Sequence, residues 1–184
     1  MGPYSVNNTA TACSACNMMK GCHTVEGIRE ICRTISSHRE GGDFGLFPER
    51  FVDNTSKRSR SAYLADHKTH ALTNAQFNKM VEQPCHYCGK QHEKGNHYNG
   101  LDRLDNSVRV YTESTCVSCC GTCNMAKGRH SEALFLQKCK DIAEKAVATT
   151  SAADGLEEVT TGLSENIGER AAGSSDDCDA AIPV

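Results

Sequence analysis

The chain has no tryptophan, four prolines and only 5% aromatic side chains across its 184 residues. That shortage excludes one large apolar core, because aromatics supply much of the area such cores bury. Mean hydropathy is negative, at −0.51, and no stretch approaches the ~20 apolar residues of a membrane-spanning helix. The opening residues, MGPYSVNNTATACSAC, lack the apolar run of a secretory leader. A chain without leader or span is expected inside the cell, under reducing conditions, with no membrane partner. In that setting its twelve cysteines, several in Cys-x-x-Cys pairs, point to metal more than to disulfides.

The net charge of −3 is unevenly spread. Residues 151–184 hold eight acidic side chains and one basic, a balance of −7, which leaves +4 on residues 1–150. The Ala/Thr/Ser/Gly-rich acidic stretch 148–184 has no aromatics and too little apolar surface to fold alone, so a disordered tail is expected there, with Cys178 as a lone exposed thiol. The mildly basic body suits a polyanionic partner.

Two segments resemble each other at a constant offset of 107. Cys13-Ser-Ala-Cys16-Asn17-Met18-Met19-Lys20-Gly21-Cys22-His23 mirrors Cys120-Gly-Thr-Cys123-Asn124-Met125-Ala126-Lys127-Gly128-Arg129-His130, and Cys32 and Ile35 continue onto Cys139 and Ile142. Nine of 23 positions are identical between 13–35 and 120–142. The first copy has no preceding Cys-x-x-Cys, so residues 1–36 read as half of a repeat. A helix is expected after each pair, with Thr24 and Ser131 as N-caps for the longer segments. Apolar stripes at Val25/Ile28/Cys32/Ile35 and Phe135/Cys139/Ile142 mark core faces, with Cys32 and Cys139 as small buried hydrophobes. Residues 37–60 read as a linker with a basic end, Lys57/Arg58/Arg60. Arg60 to Lys68 is a further candidate helix, and Thr73-Asn-Ala-Gln76 has the capping-box pattern ahead of Phe77, Met80 and Val81.

Two Cys-x-x-Cys turns each present two sulfurs along one edge of a tetrahedron, the geometry zinc prefers. Cys85, Cys88, Cys120 and Cys123 therefore read as a closed structural zinc site, with Cys116 and Cys119 to spare. Cys120 is preferred over Cys119 because only it keeps the spacing and the repeat. The small core of residues 61–147 should depend on that metal, so chelation is expected to unfold it. Cys13 and Cys16 lack two ligands, which Cys22, His23 or another chain could supply. Between the two turns, Leu101–Asp105 and Val108–Tyr111 flank Asn106-Ser107 and read as a hairpin. Asp102 on it and Asn124 after the last cysteine are hard oxygen ligands of the kind magnesium takes.

These motifs carry a resemblance. Cys-x-x-Cys, the LDR hairpin with DNS, Tyr111 and then CCxxCN with Lys127 resemble the HNH endonucleases of the ββα-metal (His-Me finger) superfamily, in particular the zinc-stapled branch of endonuclease VII type. The resemblance covers about residues 73–142. It implies a small α+β zinc-stapled domain with zinc on Cys85, Cys88, Cys120 and Cys123. It also implies a catalytic Mg²⁺ or Mn²⁺ on Asp102 and Asn124, and DNA (or RNA) as partner. The family's general base, a histidine after that aspartate, is Arg103 here, and the central asparagine falls on Thr115. Arginine stays charged and cannot accept a proton. Arg103 is instead expected to clamp a phosphate, with Lys127 and His130 also at nucleic acid. Asp105, His97 and His130 are the alternative bases, although both histidines read more simply as surface residues. The expected layout is a partial repeat at 1–36, a linker at 37–60, the HNH-like domain at 61–147 and the tail. Its expected activity is metal-dependent DNA hydrolysis, and the alternative is a zinc-stapled binding module without catalysis.

Overall fold

A computed structural model describes residues 5–42, 44–57, 59–62 and 71–153. The expectations for the acidic tail, Cys178, Arg58 and most of the Arg60–Lys68 helix lie outside them, although residues 60–62 are helical. Among the described residues, five helices with both ends placed, a 3₁₀ turn and a two-stranded antiparallel sheet follow in the order α1 (Ser14–Lys20), α2 (Val25–Arg39), a 3₁₀ turn (Pro48–Arg50), α3 (Asn74–Val81), β1 (Gly100–Arg103), β2 (Cys116–Cys119), α4 (Gly121–Lys127) and α5 (Glu132–Ala153).

The helix starts follow local chemistry. The Thr24 side chain accepts the Gly27 N–H at the head of α2, and Leu134 N–H donates to Ser131 Oγ (3.4 Å) at the head of α5. Thr73 and Gln76 form the expected reciprocal capping box. The two short helices are capped by the cysteines themselves: Cys13 Sγ accepts from Cys16 N–H and Cys120 Sγ from Cys123 N–H.

The repeat halves pack like on like, α1 against α4 and α2 against α5. Met19, Ile31, Cys32 and Ile35 share one core with Tyr87, Phe135, Cys139 and the paired cysteines. The repeat equivalents Cys32 and Cys139 meet in it. Their mutual hydrogen bond, together with burial, pushes the Cys139 thiol up. Leu72, Phe77, Val81, Leu101, Tyr111 and Cys116 form a second cluster, where α3 covers the sheet.

Two expectations change. Residues 44–54 are a packed strap rather than a linker. Phe51 is buried against the core, Thr34 Oγ1 bonds the Leu46 carbonyl, Lys90 bonds the Phe51 carbonyl, and Tyr98 N–H donates to Asn54 O (2.8 Å). The hairpin's second strand is Cys116–Cys119, paired Gly100↔Cys119 through Arg103↔Cys116, and not Val108–Tyr111. Asp105 Oδ1 does accept Ser107 N–H (2.8 Å), so the turn forms at Asn106-Ser107. Val108 and Val110 beyond it are exposed, at 40% and 39%. Their alternation buries no face, whereas residues 116–119 are drawn inward by the cysteines that follow.

Candidate metal centre

The first Cys-x-x-Cys turn follows α3. Cys85 N–H donates to Lys90 O and Gly89 N–H to Cys85 O, both at 2.8 Å, which closes the turn tightly. Gly89 has φ +79°, and a Cβ there would lie 2.7 Å from the His38 ring, so only glycine fits. His86 N–H donates to Ser118 O (2.9 Å), which ties this turn to β2. β2 in turn delivers Cys120 and Cys123 at the start of α4. The Sγ atoms of Cys85, Cys88, Cys120 and Cys123 lie within 4.8 Å of one another, and all four residues are buried. Cys88 and Cys120 are 3.7 Å apart, close to the ~3.8 Å edge of a tetrahedron with 2.3 Å metal–sulfur bonds. This donor set fits a metal ion such as zinc, on the four cysteines expected.

The sulfurs share protons unequally. Burial raises Cys85, but hydrogen bonds from Cys119, Cys120, Cys123 and Cys88 outweigh it and hold Cys85 well below the usual thiol range. Burial pushes Cys119 and Cys123 well above it. Cys120 accepts from Cys123, which lowers it. Its bonds to Cys85 and Cys88, with burial, win and leave it high. A metal entering the cluster displaces the protons that these thiols hold. Cys119 joins as a hydrogen-bond donor to Cys85, a role the spacing alone did not reveal.

Directly beneath lies a buried polar cluster. Asp102, on β1, is 4% exposed. It accepts the Tyr87 hydroxyl at 2.7 Å on Oδ2. Lys127 Nζ lies 3.3 Å from its Oδ1 and 3.0 Å from its Oδ2. The same ammonium donates to Arg103 O at 2.7 Å. Desolvation raises the Asp102 carboxyl, more than Tyr87 and Lys127 together lower it. Burial, then the Asp102 charge, drives the Tyr87 phenol far up. Tyr87 sits inside the first Cys-x-x-Cys turn, and its ring meets Phe135 edge-on (5.3 Å). Nothing in the sequence singled it out except its place between two ligands.

The other expected site residues are spread around this centre. Lys127 is fully buried and paired with Asp102, so it is not at a nucleic-acid surface as expected. Asn124 is exposed on α4 and does not share Asp102's burial. Arg103 is half-buried with its guanidinium over the Tyr111 ring (5.4 Å). His130 is half-buried, and its Nε2 is buried without a hydrogen-bond partner. Thr115 Oγ1 bonds the Val110 carbonyl (2.6 Å) and closes the loop before β2. Asp105 is exposed. His97 is a correction: it is 1% exposed rather than at the surface. Its Nδ1 accepts Asn54 N–H (3.0 Å) and its Nε2 pairs with Asn99 Oδ1 (3.0 Å), a structural role that leaves no base to offer. Of the basic run, Lys57 is exposed and Arg60 is bonded to the Leu72 carbonyl.

No family model matches the chain, and no solved structure matches it. It is similar to "Uncharacterized protein R423" of Acanthamoeba polyphaga mimivirus, 33% identical over 132 residues. The match covers 67% of this chain and 24% of that protein, so the chain spans about a quarter of its relative's length. Among the described residues, no helix is long and apolar enough to cross a membrane.

Proposed function

We propose that the chain is a zinc-stapled, HNH-type nucleic-acid-binding module whose hydrolytic centre is closed by Lys127. The four-cysteine cluster supports zinc, and the order β1, β2, α4 with Asp102 on the first strand supports the ββα-metal layout. The observation that carries the reading is the Lys127 ammonium, within 3.3 Å of both oxygens of Asp102. Two unit charges 4 Å apart interact by ~4 kcal/mol in a protein-like environment, and a divalent ion would roughly double that repulsion. A divalent cation on Asp102 would therefore have to displace Lys127 from a site where all of its contacts are satisfied. Arg103, in the position of the base, can hold a phosphate but cannot activate water. Binding without cleavage is the function this arrangement supports.

Hydrolysis is the second reading, and the placement of Asp102 on β1 and Asn124 one residue past Cys123 favours it. On that reading Asp102 and Asn124 would be the residues to hold Mg²⁺ or Mn²⁺, and such an ion would stabilise the leaving oxygen of a phosphodiester. Supercoiled plasmid incubated with the full chain and either ion separates the two. The binding reading expects a gel shift of DNA or RNA with no nicking. Nicking that Asp102→Ala abolishes would establish the hydrolase instead.

A further inference from the structure

The Cys13/Cys16 pair is built like the pair that closes the metal centre. Cys13 has φ −69° and ψ 155°, and Cys120 has φ −72° and ψ 158°. In both, the first sulfur accepts the N–H of the second cysteine, at 3.4 Å and 3.5 Å. Both helices then run seven residues and end on a glycine, Gly21 (φ 47°) and Gly128 (φ 53°). The backbone that aims two sulfurs at one metal position is thus present twice. In the second copy the sulfurs meet Cys85 and Cys88. In the first, Cys13 is exposed and Cys16 is half-buried.

No third ligand comes to them within the described residues, where the only set of three or more ligand atoms in mutual reach is Cys85/Cys88/Cys120/Cys123. Cys22 and His23 lie past the far end of α1, roughly 10 Å along a helix of that length. Cys32 is fully buried and engaged with Cys139. The pair thus offers two sulfurs, Cys13 on the surface and Cys16 half-buried, with no third ligand beside them among the described residues.

We propose that Cys13 and Cys16 are half of a second zinc site, completed by the same pair from a second copy of the chain. Two identical open edges related by a two-fold axis are self-complementary, as an isologous contact requires. They would rebuild the tetrathiolate that the chain already forms internally from two Cys-x-x-Cys turns. Each thiol loses its proton to solvent as its sulfur binds the ion. The zinc changes no oxidation state, and no disulfide forms. The proposal does not depend on nucleic-acid binding or hydrolysis.

The test uses the full chain, purified with zinc and kept under a phosphine reductant so that disulfide dimers are excluded. Metal content is measured alongside molar mass by light scattering. The expected result is about one and a half zinc ions per chain and twice the monomer mass. The double variant C13S/C16S should fall to about one zinc per chain and to monomer mass, with unchanged far-ultraviolet dichroism. Two results would overturn the proposal. One is a wild-type monomer, whether it carries one zinc or two. The other is a dimer that survives the double substitution with its metal content unaltered.

Discussion

Lys127 has no contact with solvent, and it forms an ion pair with Asp102, 25 positions away. Removing one member of a buried ion pair leaves the other charge stranded, a loss of about 3–5 kcal/mol. Lys127→Met should therefore destabilise the fold by about that amount in urea denaturation, while D102N/K127M should cost clearly less than the two single changes added together. Additive losses would show that the pair is not coupled. His97 gives a pH prediction. Burial lowers its pKa from 6.5, against the opposing bond to Asn99. The unfolded chain then binds more protons than the fold in the window just below 6.5, so stability is full above that value and is lost as pH falls through the window. Wild type should lose melting temperature between about pH 7.5 and 5.5 more steeply than His97→Gln, and parallel curves would count against it. The four metal-site cysteines were legible because their spacing is itself the chemistry. The burial of Lys127 and His97 was not, since each depends on partners brought in from distant segments, and polar residues are usually at the surface.

At the scale of elements, the caps and helix starts were readable because they are decided within four residues. Thr24→Ala should cost about 1 kcal/mol by loss of the α2 cap, measured by chemical denaturation. The hairpin was misassigned for a related reason. Val108-Arg-Val-Tyr alternates as a half-buried strand would, but alternation cannot say which face is covered. The true partner of β1 is fixed by the cysteines beyond it, which pull Cys116–Cys119 into register. Gly89→Ala tests how closely the first metal-binding turn leans on α2. Its positive φ and the 2.7 Å approach to His38 leave no space for a methyl group. That change should cost about 1–3 kcal/mol and weaken metal retention in a competition assay with a chromogenic chelator. A neutral effect would mean that α2 yields at that point.

For the whole molecule, the shared core decides how far metal loss spreads. Residues 61–147 were expected to unfold on chelation. Because Ile31, Cys32 and Ile35 of α2 pack with Phe135, Cys139 and the paired cysteines, removal of the metal should instead collapse helical dichroism across both repeat halves in one transition. Deleting residues 1–42 should likewise destabilise the remainder, since it uncovers Phe135 and Cys139, and loss of cooperativity in thermal melts would report it. A truncated chain as stable as the full one would argue for separate units. The repeat itself was plain in the sequence. That its halves embrace each other, with Cys32 meeting Cys139, follows from a symmetry that only a three-dimensional arrangement exposes.

Tyr87 stands where the sulfur cluster, the aromatic contact to Phe135 and the Asp102 carboxylate converge. Since the chain has no indole, its absorption near 280 nm comes chiefly from five tyrosines, and among those described this one is the most deeply enclosed. A metal held by the four cysteines would therefore report its own arrival and departure through this ring, with no label needed.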